Sequence, residues 1–113
     1  MPQTPLTVIK NGTMITGAGS SSALNVSAAA VIKAAPGRIV KIIILGVVGT
    51  GGALTINDCA TVGAATAANQ VFTWTTTFPA VGTIMTIDFP CQVGIVISSV
   101  FTGGTPLYAI SYV

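Results

Sequence analysis

Few side chains in this sequence can do acid–base, nucleophilic or metal chemistry. They are Asp58, Asp88, Cys59 and Cys91, and the chain holds no histidine and no glutamate. The abundant serine and threonine hydroxyls therefore have no imidazole to activate them, which argues against triad-type nucleophilic catalysis. Asp58-Cys59 and Asp88-Phe89-Pro90-Cys91 place an acid near a thiol twice. The short Cys-x-x-Cys spacing of a zinc site is missing, so no metal is expected. Asp58 is expected to cap a turn or to pair with Lys41, and Asp88 to face solvent. The cysteines are expected to be buried free thiols. A disulfide stays open for a chain that later meets oxidising surroundings.

The loop at residues 17–22 (GAGSSS) lacks the Gly-Lys-Ser/Thr end and following helix of a phosphate cradle. Asn11-Gly12-Thr13 and Asn25-Val26-Ser27 match the glycosylation sequon, which carries no weight without a secretory route. No enzyme activity and no cofactor are expected.

Composition narrows the remaining classes. Only 5% of the 113 residues are charged, against about 25% in an ordinary soluble domain. A net charge of +2 on scattered Lys10, Lys33, Arg38 and Lys41 gives no clustered basic footprint for nucleic acid. The longest apolar run ends at glycines far short of the roughly 20 residues of a spanning helix, and a 6% aromatic content does not furnish the girdles of a membrane barrel. Disorder is excluded by a hydrophobic content of 51%. The length suits one domain over residues 1–113. No signal peptide is visible, so synthesis in a cytoplasm is expected.

The stretch that must organise the fold is residues 38–48, RIVKIIILGVV. It is rich in β-branched side chains, lies between Pro36-Gly37 and Gly49-Thr50-Gly51-Gly52, and would extend roughly 36 Å as one strand. A four-residue GTGG turn would return it along residues 53–58, with Leu45 opposite Ile56 and Ile43 opposite Asp58. In that register Ile43, Leu45 and Val47 are core. The other face, Val40, Ile42, Ile44 and Val48, is apolar without apolar hairpin partners. A strand apolar on both faces needs cover on both, from the chain itself or from another subunit.

Around it the chain reads as short strands. Residues 1–6 are a proline-marked extended arm, and Asn11-Gly12 is a hairpin signal between two β-prone runs. Residues 23–26 and 28–35 read as strands, the second in competition with a helical turn. Residues 70–78 alternate, with Phe72, Trp74, Thr76 and Phe78 on one side. Met85, Ile87 and Phe89 are expected inward, then Val93, Ile95 and Ile97. Pro90 marks an edge or a sheet-switching corner. Residues 102–106 are expected to turn, and residues 107–113 to form the last strand. About eight to ten short antiparallel strands with Gly/Pro turns predict an all-β fold, a jelly-roll-like β-sandwich.

Three stretches carry a resemblance. They are VIKAAPGRIVKIIILGVVGTGGALTINDCATVGAATAANQ (residues 31–70), IDFPCQVGIVIS (residues 87–98) and the terminal AISYV. In these, and most in PGR, INDCA and FPCQVGIVI, the chain resembles small all-β virion structural proteins of tailed bacteriophages. The departures are the strongly apolar long strand and FTWTTTF. The resemblance implies a capsid decoration (cement) protein, a dimer or trimer over capsomer junctions, with the major capsid protein as partner and the virion as its location. Contacts are then expected from Met1, Pro2, Gln3, Thr4, Pro5 and Leu6, from exposed strand edges, and from the surplus face of Val40, Ile42 and Ile44. The alternative is a receptor- or glycan-binding tip domain of a head or tail fibre using Trp74, Tyr108 and Tyr112.

Overall fold

The computed structural model describes residues 21–75 and 80–113. The expected arm at residues 1–6, the Asn11-Gly12 hairpin, and Thr76 and Phe78 lie outside the described residues. Eight strands occupy the described chain: β1 (Ser21–Val26), β2 (Ala30–Lys33), β3 (Gly37–Ile44), β4 (Val48–Asn57), β5 (Gln70–Trp74), β6 (Ile84–Cys91), β7 (Ile95–Gly104) and β8 (Tyr108–Tyr112). Two single 3-10 turns, Val62–Ala64 and Ala67–Asn69, lie between β4 and β5. Within the alanine-rich run at residues 28–35, Ala30–Lys33 is strand β2, paired with β7 through Ala30, Val31 and Lys33.

The strands form two four-stranded antiparallel sheets, in the orders β1-β8-β3-β6 and β2-β7-β4-β5. The pairings are nested: β4 with β5, β3 with β6, β2 with β7 and β1 with β8. The described chain is thus one long hairpin, its two legs bent together and rolled until β3 meets β8 and β4 meets β7. Both legs change sheet at shared corners. At one corner, residues 45–47 run beside 105–107, with Leu45 N–H donating to the Leu107 carbonyl at 2.8 Å and Thr105 N–H to that of Val47 at 2.7 Å.

This corner overturns the expected GTGG hairpin. Residues 38–48 are two strands in two sheets, and Gly49 to Gly52 lie inside β4, paired with β7. Glycine is required there for close approach. A Cβ on Gly46 would stand 2.2 Å from the Thr105 carbonyl oxygen, and one on Gly49 would stand 2.0 Å from that of Thr102. β7 likewise runs on into the expected turn at residues 102–106 as far as Gly104, and the chain leaves the sheet only at residues 105–107.

The core lies between the sheets. β3 gives it Ile39, Ile42 and Ile44; β4 gives Leu54 and Ile56; β7 gives Ile95, Ile97 and Phe101; β8 gives Tyr108 and Ile110. Removing such aliphatic side chains from water stabilises the fold by about 1.5–3 kcal/mol each before entropy is counted. Phe72 and Trp74 pack against this cluster, as their alternation predicts.

Two positions expected inward in β6 and at the start of the β7 region are instead on the surface. Phe89 is 46% exposed. Asp88 takes a left-handed φ of 49°, the β3–β6 register slips beside it, and the alternation that would carry Phe89 inward is broken. Val93 is 52% exposed because it lies in the corner between β6 and β7. Pro90 fits its expected place: β6 is an edge strand, and the chain changes sheet after Cys91.

Candidate interaction surface

The residues with most chemistry are used to hold the fold. Asp58 sits just past β4, and its carboxylate accepts three successive backbone N–H groups at the corner between β6 and β7. These are Gln92 at 2.8 Å, Val93 at 2.7 Å and Gly94 at 3.1 Å. Burial works to raise the Asp58 pKa, but the three donors outweigh it and leave it below the ordinary carboxylate value. Asp58 therefore caps a corner, as one of the two expectations had it, and these donors replace the expected Lys41 partner. The neighbouring Gly94 is packed so closely that a Cβ would meet the Cys59 and Lys33 carbonyl oxygens at 2.4 and 2.7 Å.

Cys59 and Cys91 flank this clamp as buried free thiols. The Cys59 Sγ–H donates to the Thr61 carbonyl at 3.3 Å. Burial first, then the charges of Asp58 and Cys59, push the Cys91 thiol up to about 11. Such a group is a poor nucleophile at neutral pH. Asp88 is not left to solvent alone: Arg38 Nη1 lies 3.0 Å from its carboxylate on the exposed surface. Among the described residues no three His, Cys, Asp or Glu side chains gather into a metal-binding group.

Asn57, also in the INDCA motif, anchors the connection at residues 58–69. It is 2% exposed. Its Nδ2 donates to the Thr66 carbonyl at 2.8 Å and to Asn69 Oδ1 at 2.7 Å, and its Oδ1 accepts from Ser98 Oγ at 2.6 Å. A fully satisfied buried amide of this kind specifies one arrangement of the loop. The connection folds back over the outer face of the second sheet and borders an uncharged groove of about 400 Å³, lined by Thr55, Asn57, Thr66, Gln70 and Ser98 among others.

The expected contact residues separate. Met1, Pro2, Gln3, Thr4, Pro5 and Leu6 lie outside the described residues. Ile42 and Ile44 are fully buried between the two sheets, and Val40 is 5% exposed at the β3 bulge. The chain's own second sheet covers Ile42 and Ile44, and Val40 is buried as well, so these three residues are not a surface. The opposite face, expected as core, is the outward one: Leu45 is 47% and Val47 61% exposed. Lys41 shares their alternation parity, and its charge was the sequence signal for the solvent side. The aromatics proposed for a tip site are also occupied. Tyr108 is fully buried, with burial raising its pKa against a lowering effect of the Phe101 backbone, and Trp74 and Tyr112 pack on the core.

What the first sheet presents to solvent is ordered in rows. Ile84 of β6 pairs with Ile43 of β3, which pairs with Ala109 of β8, giving an apolar row. Thr86, Lys41, Ser111 and Ser22 form the next row. Ile84 is 59% exposed, and Leu24 of β1 is 70% exposed. Lys41 is the one charge in these two rows. Among the described residues these two rows run between the outermost strands of the sheet, β1 and β6.

No protein-family profile matches the chain, and no curated protein or solved structure matches it either.

Proposed function

We propose that this chain is a virion structural protein of the capsid-decoration kind, bound in many copies to the outside of a viral shell at capsomer junctions as a dimer or trimer. The observation that carries the reading is the part of the first sheet's outer face where the Ile84–Ile43–Ala109 row lies beside a row of hydroxyls and a single lysine, away from the Arg38–Asp88 ion pair. The nested pairing of eight strands supports reading the sandwich as a jelly roll, and the resemblance in residues 31–70 and 87–98 points the same way. A ligand that binds only the assembled shell stabilises it by about 2.7 kcal/mol per site at a hundredfold excess over Kd. Repetition over a shell multiplies this, so weak contacts suffice and the chain needs no charged hot spot.

The test uses shells assembled with and without the protein. Shells lacking it are expected to open at lower temperature and at low salt, and added purified protein is expected to restore resistance. The variant Ile84→Asp, which places a charge in the apolar row, is expected to fold but not to restore it. Equal resistance with and without the protein sinks the proposal. The rival reading, a glycan-binding tip, now rests on the uncharged groove beside Asn57. Glycan binding lost on Gln70→Ala, with no effect on shells, would promote it.

A further inference from the structure

Phe89 faces outward because β6 bulges beside it. Phe89 pairs with Ile39 and Thr86 with Lys41, so Ile87 and Asp88 together oppose Val40 alone. An extra residue of this kind re-aims the side chains beyond it. The Phe89 ring becomes one wall of a groove of about 380 Å³, lined from β5 and β6, which are edge strands of the two sheets. Val93, 52% exposed, and the half-buried Val71 extend the apolar wall. Asp58, Asn69 and Gln70 are its polar residues, and Asp58 is its one charge.

Asp58 has room to bind more than the corner it holds. A carboxylate offers about four acceptor positions. Oδ1 accepts from Val93 and Gly94 and Oδ2 from Gln92, which leaves one position on Oδ2. The same three donors keep the group ionised at neutral pH. Arg38–Asp88 is the one ion pair among the described residues, so no described cation neutralises Asp58.

An anion beside an aromatic ring and aliphatic walls complements a side chain with an apolar stem and a cationic head. Arginine suits it better than lysine, because a planar guanidinium can stack on a ring while it bonds a carboxylate. β5 and β6 each have one edge with no strand beside it among the described residues, where an extended segment can be held by its backbone. We propose that the groove receives an arginine side chain presented by an extended segment of a partner protein, its guanidinium on Asp58 and its stem along Phe89 and Val93. The site is separate from the Ile84–Ile43–Ala109 row and does not depend on what that row docks on.

The test reads binding on the full, isotope-labelled chain through the amides of Gln92, Val93 and Gly94, which bond to Asp58 itself. The probe is the peptide acetyl-Ala-Leu-Arg-Leu-Ala-amide. Its control carries citrulline, uncharged and of nearly the same shape, in place of the arginine. The arginine peptide is expected to shift these amides with a Kd at least about fivefold below that of the control, the scale of one partly exposed cation contact. Asp58→Asn should abolish the preference. Phe89→Leu, a change at an exposed position that does not touch the clamp, should reduce it to about twofold. No shift with either peptide, equal affinities for the two, or a preference undiminished in both variants overturns the proposal. Butylguanidinium binding as tightly as the arginine peptide would assign the groove to a free small cation and overturn the partner segment.

Discussion

Replacing Asp58 tests the claim that one carboxylate holds the corner between the sheets. In Asp58→Ala the N–H groups of Gln92, Val93 and Gly94 lose their acceptor. A hydrogen bond to a charged acceptor contributes about 1.5–3 kcal/mol when its donor is buried. Gly94 is buried and should count at that value, while Gln92 and Val93 are exposed and water can replace the carboxylate. Their share is then a few tenths of a kcal/mol each, comparable to a weak helix cap. The total comes to about 2–3 kcal/mol. In a chain of this size that lowers Tm by about 8–12 °C. Asp58→Asn keeps one oxygen acceptor but loses the charge, and should cost about half as much. Its pH dependence separates the clamp from a packing effect. The Asp58 pKa is lowered from 3.8 in the folded protein. Its stabilisation is therefore complete above that ordinary value and disappears as pH falls through the lowered one. The gap between wild type and Asp58→Asn should be constant from pH 5 to 7 and narrow as pH falls below the ordinary carboxylate value of 3.8. Urea unfolding followed by fluorescence of Trp74, the single tryptophan, reads both quantities. Asp88→Asn is the control: it removes an exposed ion pair, keeps a residue that tolerates φ 49°, and should change stability by under about 0.5 kcal/mol. The clamp is refuted if Asp58→Ala behaves like this control, or if the gap persists unchanged in acid.

Three further outcomes follow from the same structure. Gly49→Ala places a methyl against the Thr102 carbonyl and should destabilise by about 3 kcal/mol or prevent folding, while Gly63→Ala, with open space around it, should be nearly neutral. Equal urea midpoints for the two would restore the turn reading of residues 49–52. Ile42→Ala should cost about 2–5 kcal/mol and Ile84→Thr under about 1, since one side chain is fully buried and the other 59% exposed. The reverse order would mean that the sheet faces are assigned the wrong way round. Cys91, with its thiol pushed up to about 11 by burial, should react with iodoacetamide near pH 7.5 only as the protein unfolds. Peptide mapping that finds it labelled within minutes in the native state contradicts that.

By itself, the sequence determined the class of the molecule. Period-two alternation, β-branched runs and Gly/Pro punctuation specify an all-β chain, because these are local preferences of pleated backbone. The absence of histidine and the scarcity of charge removed most chemistry before any geometry was known. The alternating Phe72 and Trp74, the edge role of Pro90 and the buried free thiols were legible for the same local reasons.

What only the tertiary structure decided was which of two apolar faces is inside. Alternation separates Val40, Ile42 and Ile44 from Ile43, Leu45 and Val47, but both sets are apolar, and the choice depends on a second sheet drawn from distant residues. Glycine was ambiguous in the same way. Gly46 and Gly49 look like turn residues until the strands beside them arrive, and then they are the positions where two backbones approach too closely for a side chain. Asn57 and Asp58 could be recognised as polar residues at a strand end, but their partners at Ser98 and at residues 92–94 lie about 40 residues away, brought close only by the rolling of the long hairpin.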